Sequence, residues 1–321
     1  MKEPGPEIAP AGTGENSVAV LPFVDMSPQK DQEYFCDGIT EDLINRLSNI
    51  GELKVPARTS AFMFKGKTPD MHEVGEKLKV QKALEGSVPK YGGRLRITAQ
   101  LINIADGYHL WSEKYDREIK DLFTIQDEIS SAIVDALRMK LTSDENRKMA
   151  ARPINNAAAY ECYLKGTYEM SRRTEKGLDR ALRYFQNGVD IIGDNALLFA
   201  SIAGVYRRYV DAGWKQEDFI SKSEEYVKKA LALDPDLPQG HIVLGNNNRD
   251  FYGNYPEAIR NYKKALAVDP NESKALTSLM FCYFLKGRIS AARRLGERAI
   301  RIDPLNDQPR SSAVLALVFE G

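Results

Sequence analysis

A glycine, a lysine and a threonine follow one another in the stretch FKGKT (64–68), which is how a phosphate-binding P-loop ends. The full motif is G-x-x-x-x-G-K-[ST], and its first glycine lets the loop wrap around the phosphates. That position is Ala61 here, and the loop interior would be bulky and apolar. Pro69 follows Thr68, and a proline disfavours helical geometry in the residue before it. The stretch is therefore predicted to connect a strand to a helix and not to hold a nucleotide.

Three carboxylates, Asp37, Glu41 and Asp42, lie close together in the chain. Such a cluster could act as a general acid–base pair or hold a cation. Thr40 is predicted to begin the helix proper, which places acidic residues in its first turn, where the helix dipole favours anions. The sequence therefore favours solvated carboxylates that complement the dipole, and no catalytic residues are predicted.

His109 is the other side chain whose type could bind a ligand, because it alternates with Trp111 and Tyr115 along a predicted strand. A single histidine beside aromatic residues more commonly packs or lies at an edge than ligates a metal. We therefore expect Trp111 and Tyr115 to pack against the core and His109 to pack or lie at an edge.

The three cysteines, Cys36, Cys162 and Cys282, are far apart and odd in number. Neither a disulfide framework nor a C-x-x-C pair is present, and the chain has three histidines, so no metal site and no cofactor are predicted. Unpaired thiols favour a reducing compartment, although a periplasmic location is left open.

The chain has 321 residues, 45 basic and 45 acidic, and thus no formal net charge. No overall field favours nucleic acid or a membrane surface. No apolar run approaches the roughly 20 residues that span a bilayer. Residues 1–16 are rich in Pro, Gly and Glu and are predicted to form a flexible leader.

The second half of the chain is repetitive. Asp-Pro pairs begin at Asp234, Asp269 and Asp303, at spacings of 35 and 34 residues, and Ala258 and Ala265 recur one period later. A period near 34 with small residues at fixed places and a closing proline resembles the tetratricopeptide repeat, in which each unit is a pair of antiparallel helices. Residues 146–321 are predicted to form about four such repeats and a terminal half repeat.

The first helices of such a solenoid line its inner groove, where partners bind. Residues 146–321 carry 27 basic and 21 acidic side chains, an excess of +6. Arginines fall near the ends of successive first helices, Arg172 and Arg173 among them. A groove of mixed Arg, Asn and aromatic residues suits a protein or peptide partner. The repeat register predicts these groove residues: Tyr163, Thr167, Arg207, Arg208, Ile242, Asn246, Arg249, Met280 and Tyr283.

Strand and helix signals alternate in the first half. A valine-rich run at 17–24 predicts a strand, and an apolar periodicity predicts the helix that follows. ELKVPAR (52–58) predicts a second strand, and residues 70–79 a short helix. Two β-rich runs flank Tyr91-Gly92-Gly93, which indicates a hairpin. Residues 17–145 are therefore predicted to form an α/β domain with a mixed sheet.

Five stretches in this order and spacing resemble the TolB amino-terminal-like domain: SVAVLPFVDMS, YFCDGITEDLINRLS, VPARTSAFMFKGK, ALEGSVPKYGGRLRITAQLI and GYHLWSEKYDREIKDLFTIQDEI. The resemblance covers about residues 17–141. It implies a module that precedes tetratricopeptide repeats in bacterial signalling proteins, which often carry a cyclase, a kinase or a winged-helix domain at their other end. This chain shows no cyclase metal-binding aspartates, kinase motifs or helix-turn-helix.

The fold class predicted is thus an N-terminal α/β domain with a mixed sheet, followed by an all-α tetratricopeptide-repeat solenoid. The function predicted is a non-catalytic sensory or scaffold region that binds a protein or peptide partner, with self-association left open. The alternative is a small-molecule or nucleotide-binding α/β domain with accessory repeats. The segment after Pro304 is predicted to start another repeat, either as a cap or as the edge of a longer solenoid.

Overall fold

The computed structural model describes residues 16–91, 94–118, 121–214 and 217–307. Residues 1–15 of the predicted leader, the two glycines of the predicted hairpin turn and residues 308–321 of the terminal half repeat lie outside the described residues.

The described residues form an N-terminal sheet region followed by paired helices. The strands are β1 Val18–Val20, β2 Val24–Asp25, β3 Lys82–Val88, β4 Lys90–Tyr91, β5 Arg94–Asn103 and β6 His109–Glu118. The helices that accompany them are α1 Glu33–Ser48, α2 Arg58–Ala61, α3 Met71–Leu78, α4 Leu122–Ala136 and α5 Ser143–Ala150, with a 3-10 turn at Phe62–Phe64. The paired helices are α6 Ala157–Ser171, α7 Glu175–Ile192, α8 Ala196–Asp211, α9 Glu217–Leu233, α10 Pro238–Asp250, α11 Tyr255–Val268, α12 Ser273–Leu285 and α13 Ile289–Ile302.

The sheet is mixed, as the sequence predicts. β1 and β2 pair in parallel with β3, and β5 pairs antiparallel with both β3 and β6. The alternation in β5 places Leu95, Ile97, Ala99 and Leu101 on one fully buried face. This face belongs to the same apolar cluster as the isoleucines of α4, so α4 covers the sheet on that side.

Two local predictions in the first half are wrong. α1 begins at Glu33 and not at Thr40. The Thr40 hydroxyl lies inside the helix, where it donates to the Cys36 carbonyl at 2.7 Å and accepts from the Phe23 backbone N–H at 3.0 Å. ELKVPAR contributes a single parallel bridge between Lys54 and Ser17, because Pro56 and the start of α2 leave no room for a strand.

The helices after α5 form four antiparallel pairs, and small residues set their spacing. A side-chain carbon added at Gly166 would lie 2.4 Å from the Phe185 ring, and one at Gly245 would lie 2.7 Å from the Tyr262 ring. Each glycine thus lets the large aromatic residue of the second helix pack against the backbone of the first. This is the packing that the 34-residue period predicts.

The sheet region contacts both the first and the last described helix pair. α1 packs on α6, where Asp42 accepts a hydrogen bond from Tyr160 at 2.5 Å. At the other end, the Ala57 N–H donates to the Ile302 carbonyl at 2.8 Å, and the Ser60 hydroxyl donates to Asp303 at 2.5 Å. The helix pairs therefore curve back to the sheet region, and the two together form a closed circuit around a central space.

Candidate binding cavity

A cavity of about 640 Å³ lies inside this circuit. Its wall is made by the first helices of the four pairs, α6, α8, α10 and α12, and by Glu41 and Asn45 of α1. Pockets of about 300–1,000 Å³ are of the size that binds small molecules and short segments. The concave side of the helix pairs is therefore a ligand-sized space, which α1 closes on one side.

Six of the nine residues that the repeat register predicts for the groove line this cavity: Tyr163, Thr167, Arg207, Arg208, Ile242 and Asn246. They come from α6, α8 and α10, which shows that the repeat register correctly orients the first helices. Whether they contact a partner stays a prediction.

The other three predicted groove residues lie elsewhere. Met280 is 2% exposed, so it packs in the interior. Tyr283 packs against the small cluster around Tyr262, and Arg249 pairs with Asp250 at 2.5 Å. All three belong to the last two helix pairs, where α12 reaches the cavity wall at its first turn.

The arginines of α8 differ in their partners. Arg207 pairs with Asp211 at 3.2 Å and with Asp250 at 2.7 Å. Burial raises the pKa of Asp250, but the hydrogen bond from Arg249 and the charges of Arg249 and Arg207 outweigh it, so that this pKa lies below its usual range. Arg208 makes one hydrogen bond, from Nη1 to the Met170 carbonyl at 3.3 Å.

The side chains of the polar run GNNNRD (245–250) are held by hydrogen bonds. Asn246 accepts from the Tyr262 hydroxyl at 2.7 Å, and Asn247 is fully buried and donates to the Ser223 hydroxyl at 3.1 Å. Asn248 donates to the Leu244 carbonyl at 2.9 Å. These side chains tie α10 to its neighbours.

Gly204, Trp214, Lys274 and Gln239 also line the cavity, and the repeat register did not single them out. A side-chain carbon at Gly204 would meet no atom within 4 Å, unlike one at the packing glycines Gly166 and Gly245. The packing position of this repeat is held by the fully buried Ala203. Gly204 follows it as Thr167 follows Gly166 and Asn246 follows Gly245, so the register that placed Thr167 and Asn246 in the groove could also have found Gly204.

The carboxylate cluster of α1 is structural and not solvated as predicted. Asp37 is 7% exposed, and the Lys65 ammonium lies 2.8 Å from its carboxylate. Burial raises the pKa of Asp37, while the hydrogen bond and charge of Lys65 lower it. Glu41 pairs with Arg58 at 2.9 Å. Because α1 is sandwiched between the sheet and α6, these carboxylates form contacts between elements.

FKGKT begins at Phe64, the last residue of the 3-10 turn, and leads toward α3. The strand predicted before it is therefore wrong. Its Gly66 has a φ of +72°, and Lys67 is exposed. Ala61, in the place of the first P-loop glycine, is fully buried in α2. No strand leads into a phosphate-binding loop here.

The remaining candidate side chains are packed or exposed singly. Tyr115 is buried and Trp111 packs on the core cluster, as predicted, whereas His109 is exposed. The three cysteines are free; Cys36 and Cys282 are buried, and burial raises the pKa of Cys282 to about 11. Among residues 16–307, outside the short undescribed gaps, no three His, Cys, Asp or Glu side chains are grouped to hold a metal.

Within the described part of the chain, no helix combines the length and the apolar character that crossing a bilayer requires.

Curated proteins similar to this chain include bacterial regulators. The protein named "Putative adenylate cyclase 3" of Rhizobium meliloti strain 1021 is 37% identical over 244 residues, which is 75% of this chain and 41% of that protein. "Transcriptional regulator HilA" of Salmonella typhimurium strain LT2 is 22% identical over 78% of this chain and 51% of its own length. The chain thus spans about half, or less, of the length of these relatives. The 244 matched residues outnumber those of 146–321, so the similarity extends into the sheet region.

Solved structures similar to this chain include a thermophilic TPR protein of Thermus thermophilus. It is 16% identical, with a TM-score of 0.42, over 62% of this chain and 99% of that one. A family model described as tetratricopeptide repeat matches residues 252–318. The comparisons therefore identify a tetratricopeptide repeat in this part of the chain.

Proposed function

We propose that this chain is a non-catalytic sensory or scaffold region of a bacterial signalling protein, and that it binds a protein or peptide partner in the central cavity. The observation that carries the proposal is the cavity itself. It has the volume of a ligand site, its wall comes from the first helices of four pairs, and six predicted groove residues line it.

The names of the relatives support an input role. One is named as an adenylate cyclase and the other as a transcriptional regulator, which are different outputs. A region common to both fits sensing or scaffolding better than it fits either output chemistry. The enzymatic output, where a longer protein has one, would then lie in a part that this chain does not share.

We further propose that residues 17–145 are a TolB amino-terminal-like domain. In its favour, the five resembling stretches together supply the strands of one mixed sheet and the helices around it, from β1 through α4. In this protein the domain contributes α1 to the cavity wall, so we infer that it shapes the binding site together with the repeats.

Gly204 gives the sharpest test of where the partner binds. Gly204→Trp would place an indole in the cavity from a Cβ that meets no atom within 4 Å, and Gly204→Ala adds that one carbon alone. Peptides selected from a random library on the wild-type chain are expected to lose at least about tenfold in affinity on Gly204→Trp and to keep their affinity on Gly204→Ala, as measured by calorimetry.

Selected peptides that bind Gly204→Trp as tightly as the wild-type chain would contradict binding in the cavity. The alternative, a nucleotide or metabolite site in the sheet domain, has its own readout. It requires a small molecule that raises the melting temperature by an amount that Gly204→Trp leaves unchanged.

A further inference from the structure

Three carboxylates line the cavity, and the chain itself engages each of them. Glu41 pairs with Arg58 at 2.9 Å, and Asp211 pairs with Arg207 at 3.2 Å. The side chain of Glu272 accepts a backbone N–H in the first turn of α12 at 3.1 Å. None of these carboxylates is left to bind a cation.

The basic side chains at one end of the cavity are in the opposite situation. Arg208 uses one of its five N–H donors, in a long bond to the Met170 carbonyl, and has no ion-pair partner in the described part of the chain. Nη1 of Arg207 is buried without an acceptor, although its Nη2 is paired. Arg173, just beyond α6, also has no ion pair with a described residue. The cavity therefore presents unused guanidinium donors and no unused carboxylate.

These three guanidinium groups also repel one another. Burial lowers the pKa of Arg208, and the charges of Arg173 and Arg207 lower it further, while the charge of Asp211 partly offsets them. A bound anion would accept the unused donors and offset the repulsion. Carboxylates fit this role because guanidinium binds them through two parallel hydrogen bonds.

The dimensions of the cavity limit the size of the ligand. It is lined along α8 from Leu197 to Asp211, and fourteen helical steps span about 21 Å. An extended peptide of about six residues has this length. A folded partner needs an interface of roughly 800 Å² on each side, so a segment is the better fit.

We propose that the end of the cavity formed by Arg173, Arg207 and Arg208 binds a side-chain carboxylate of a short acidic segment of the partner. The inference rests on the proposed function, because it takes the ligand to be a peptide and places its charged group.

Trp214 provides a probe at this end, since it lines the cavity just beyond the C-terminal end of α8, where its backbone N–H donates to the Tyr209 carbonyl at 3.0 Å. The chain has two tryptophans, so Trp111→Phe leaves Trp214 as the sole one. In this background, acetylated and amidated pentaglutamate is titrated while tryptophan fluorescence is followed. Pentaglutamine and inorganic phosphate are titrated in parallel.

We expect a saturable change with pentaglutamate and at least about tenfold weaker binding of pentaglutamine. Arg208→Gln should weaken pentaglutamate by at least about tenfold, and Arg208→Lys by less. Raising the salt concentration should weaken it further, because a charge pair near the surface is screened. Arg294→Gln removes the same charge from an exposed position on α13, outside the cavity wall, and should have no effect.

The proposal is overturned if pentaglutamate gives no saturable change, or if pentaglutamine binds as tightly. It is also overturned if Arg294→Gln weakens binding as much as Arg208→Gln, or if inorganic phosphate saturates the signal at the same concentration. Circular dichroism of each variant establishes that it is folded.

One outcome would separate this proposal from the proposed function. A library peptide without acidic residues that is sensitive to Gly204→Trp but not to Arg208→Gln would overturn the carboxylate subsite and leave binding in the cavity standing.

Discussion

The hydroxyl of Ser60 donates a 2.5 Å hydrogen bond to the carboxylate of Asp303, which lies 243 positions later in the chain. Asp303 is fully buried and also accepts from Ser273 at 3.0 Å and from Asn306 at 2.9 Å. The backbone N–H of Leu305 donates in turn to the Ser60 hydroxyl at 2.9 Å. This network joins the sheet region to the last described helix pair.

Asp303→Ala should lower the free energy of unfolding by about 2–4 kcal/mol, because it leaves several buried donors without an acceptor. Urea denaturation measures the loss, and hydrogen exchange should show faster exchange in α2 and α13. Asp234→Ala is the matched control. Asp234 holds the same repeat position as Asp303, but among the described residues its carboxylate accepts only the Asp236 backbone N–H. Equal losses for both would show that the network contributes nothing specific.

Two glycines in first helices, one facing the cavity and one facing its partner helix, should respond oppositely to alanine. Gly204→Ala should raise stability by up to about 1 kcal/mol, because alanine favours a helix and the added carbon meets open space. Gly245→Ala should lower it by about 1–3 kcal/mol, because the carbon would lie 2.7 Å from the Tyr262 ring. Thermal melts of the two variants decide this, and changes of the same sign would contradict the orientation of α8.

The two lysines of FKGKT should have unequal effects on stability. Lys65→Met leaves the buried Asp37 without its cation and should cost about 1–3 kcal/mol at pH 7. Lys67→Met, at the P-loop lysine, changes an exposed residue and should cost little. If FKGKT were a P-loop, a nucleotide would raise the melting temperature of the wild-type chain, and Lys67→Met would abolish this rise.

The cost of Lys65→Met should also depend on pH. Burial already raises the pKa of Asp37 above its unfolded value, and loss of Lys65 raises it further. The folded state then binds this proton more tightly than the unfolded state, so the cost is complete above the folded pKa and vanishes below the unfolded pKa near 4. The difference in melting temperature between variant and wild type should shrink from pH 7 to pH 4.

Asp250 should contribute to wild-type stability with a pH dependence opposite to that of Asp37, and Asp250→Asn tests this. Arg249 and Arg207 outweigh burial and lower the pKa of Asp250 in the folded state. Its stabilisation, about 1 kcal/mol because solvent screens this exposed carboxylate, is therefore present above the unfolded pKa and is lost as pH falls through the folded pKa. The variant should match wild type near pH 2 and be less stable at pH 7, whereas Asp190→Asn, at an exposed helix position, should match it throughout.

The sequence predicted the periodic parts of the fold well. Leu95 and Ile97 alternate toward the core, and the recurrence of Ala258 and Ala265 places them fully buried between paired helices. Periodicity reports which face of an element is buried, and so it oriented the first helices and placed Arg207 and Arg208 on the cavity wall.

The same signals fail where contacts join distant parts of the chain. Asp37 has the pattern of a solvated helix start, yet α6 covers it from more than a hundred residues away. Met280 follows the groove register, yet it is buried because the last helix pairs pack closely. No local pattern encodes the bond between Ser60 and Asp303, so the contact of the last helix pair with the sheet region could not have been predicted.

The closure by Ser60 and Asp303 has a consequence for biosynthesis. Contacts between residues so far apart in sequence form late, because the intervening chain must first lose its conformational freedom. The sheet region shares one apolar cluster with the first two helix pairs, and the cavity wall is complete only once α12 of the fourth pair has been translated and docked. A ribosome stalled before that point would carry a chain whose cavity lacks part of its wall.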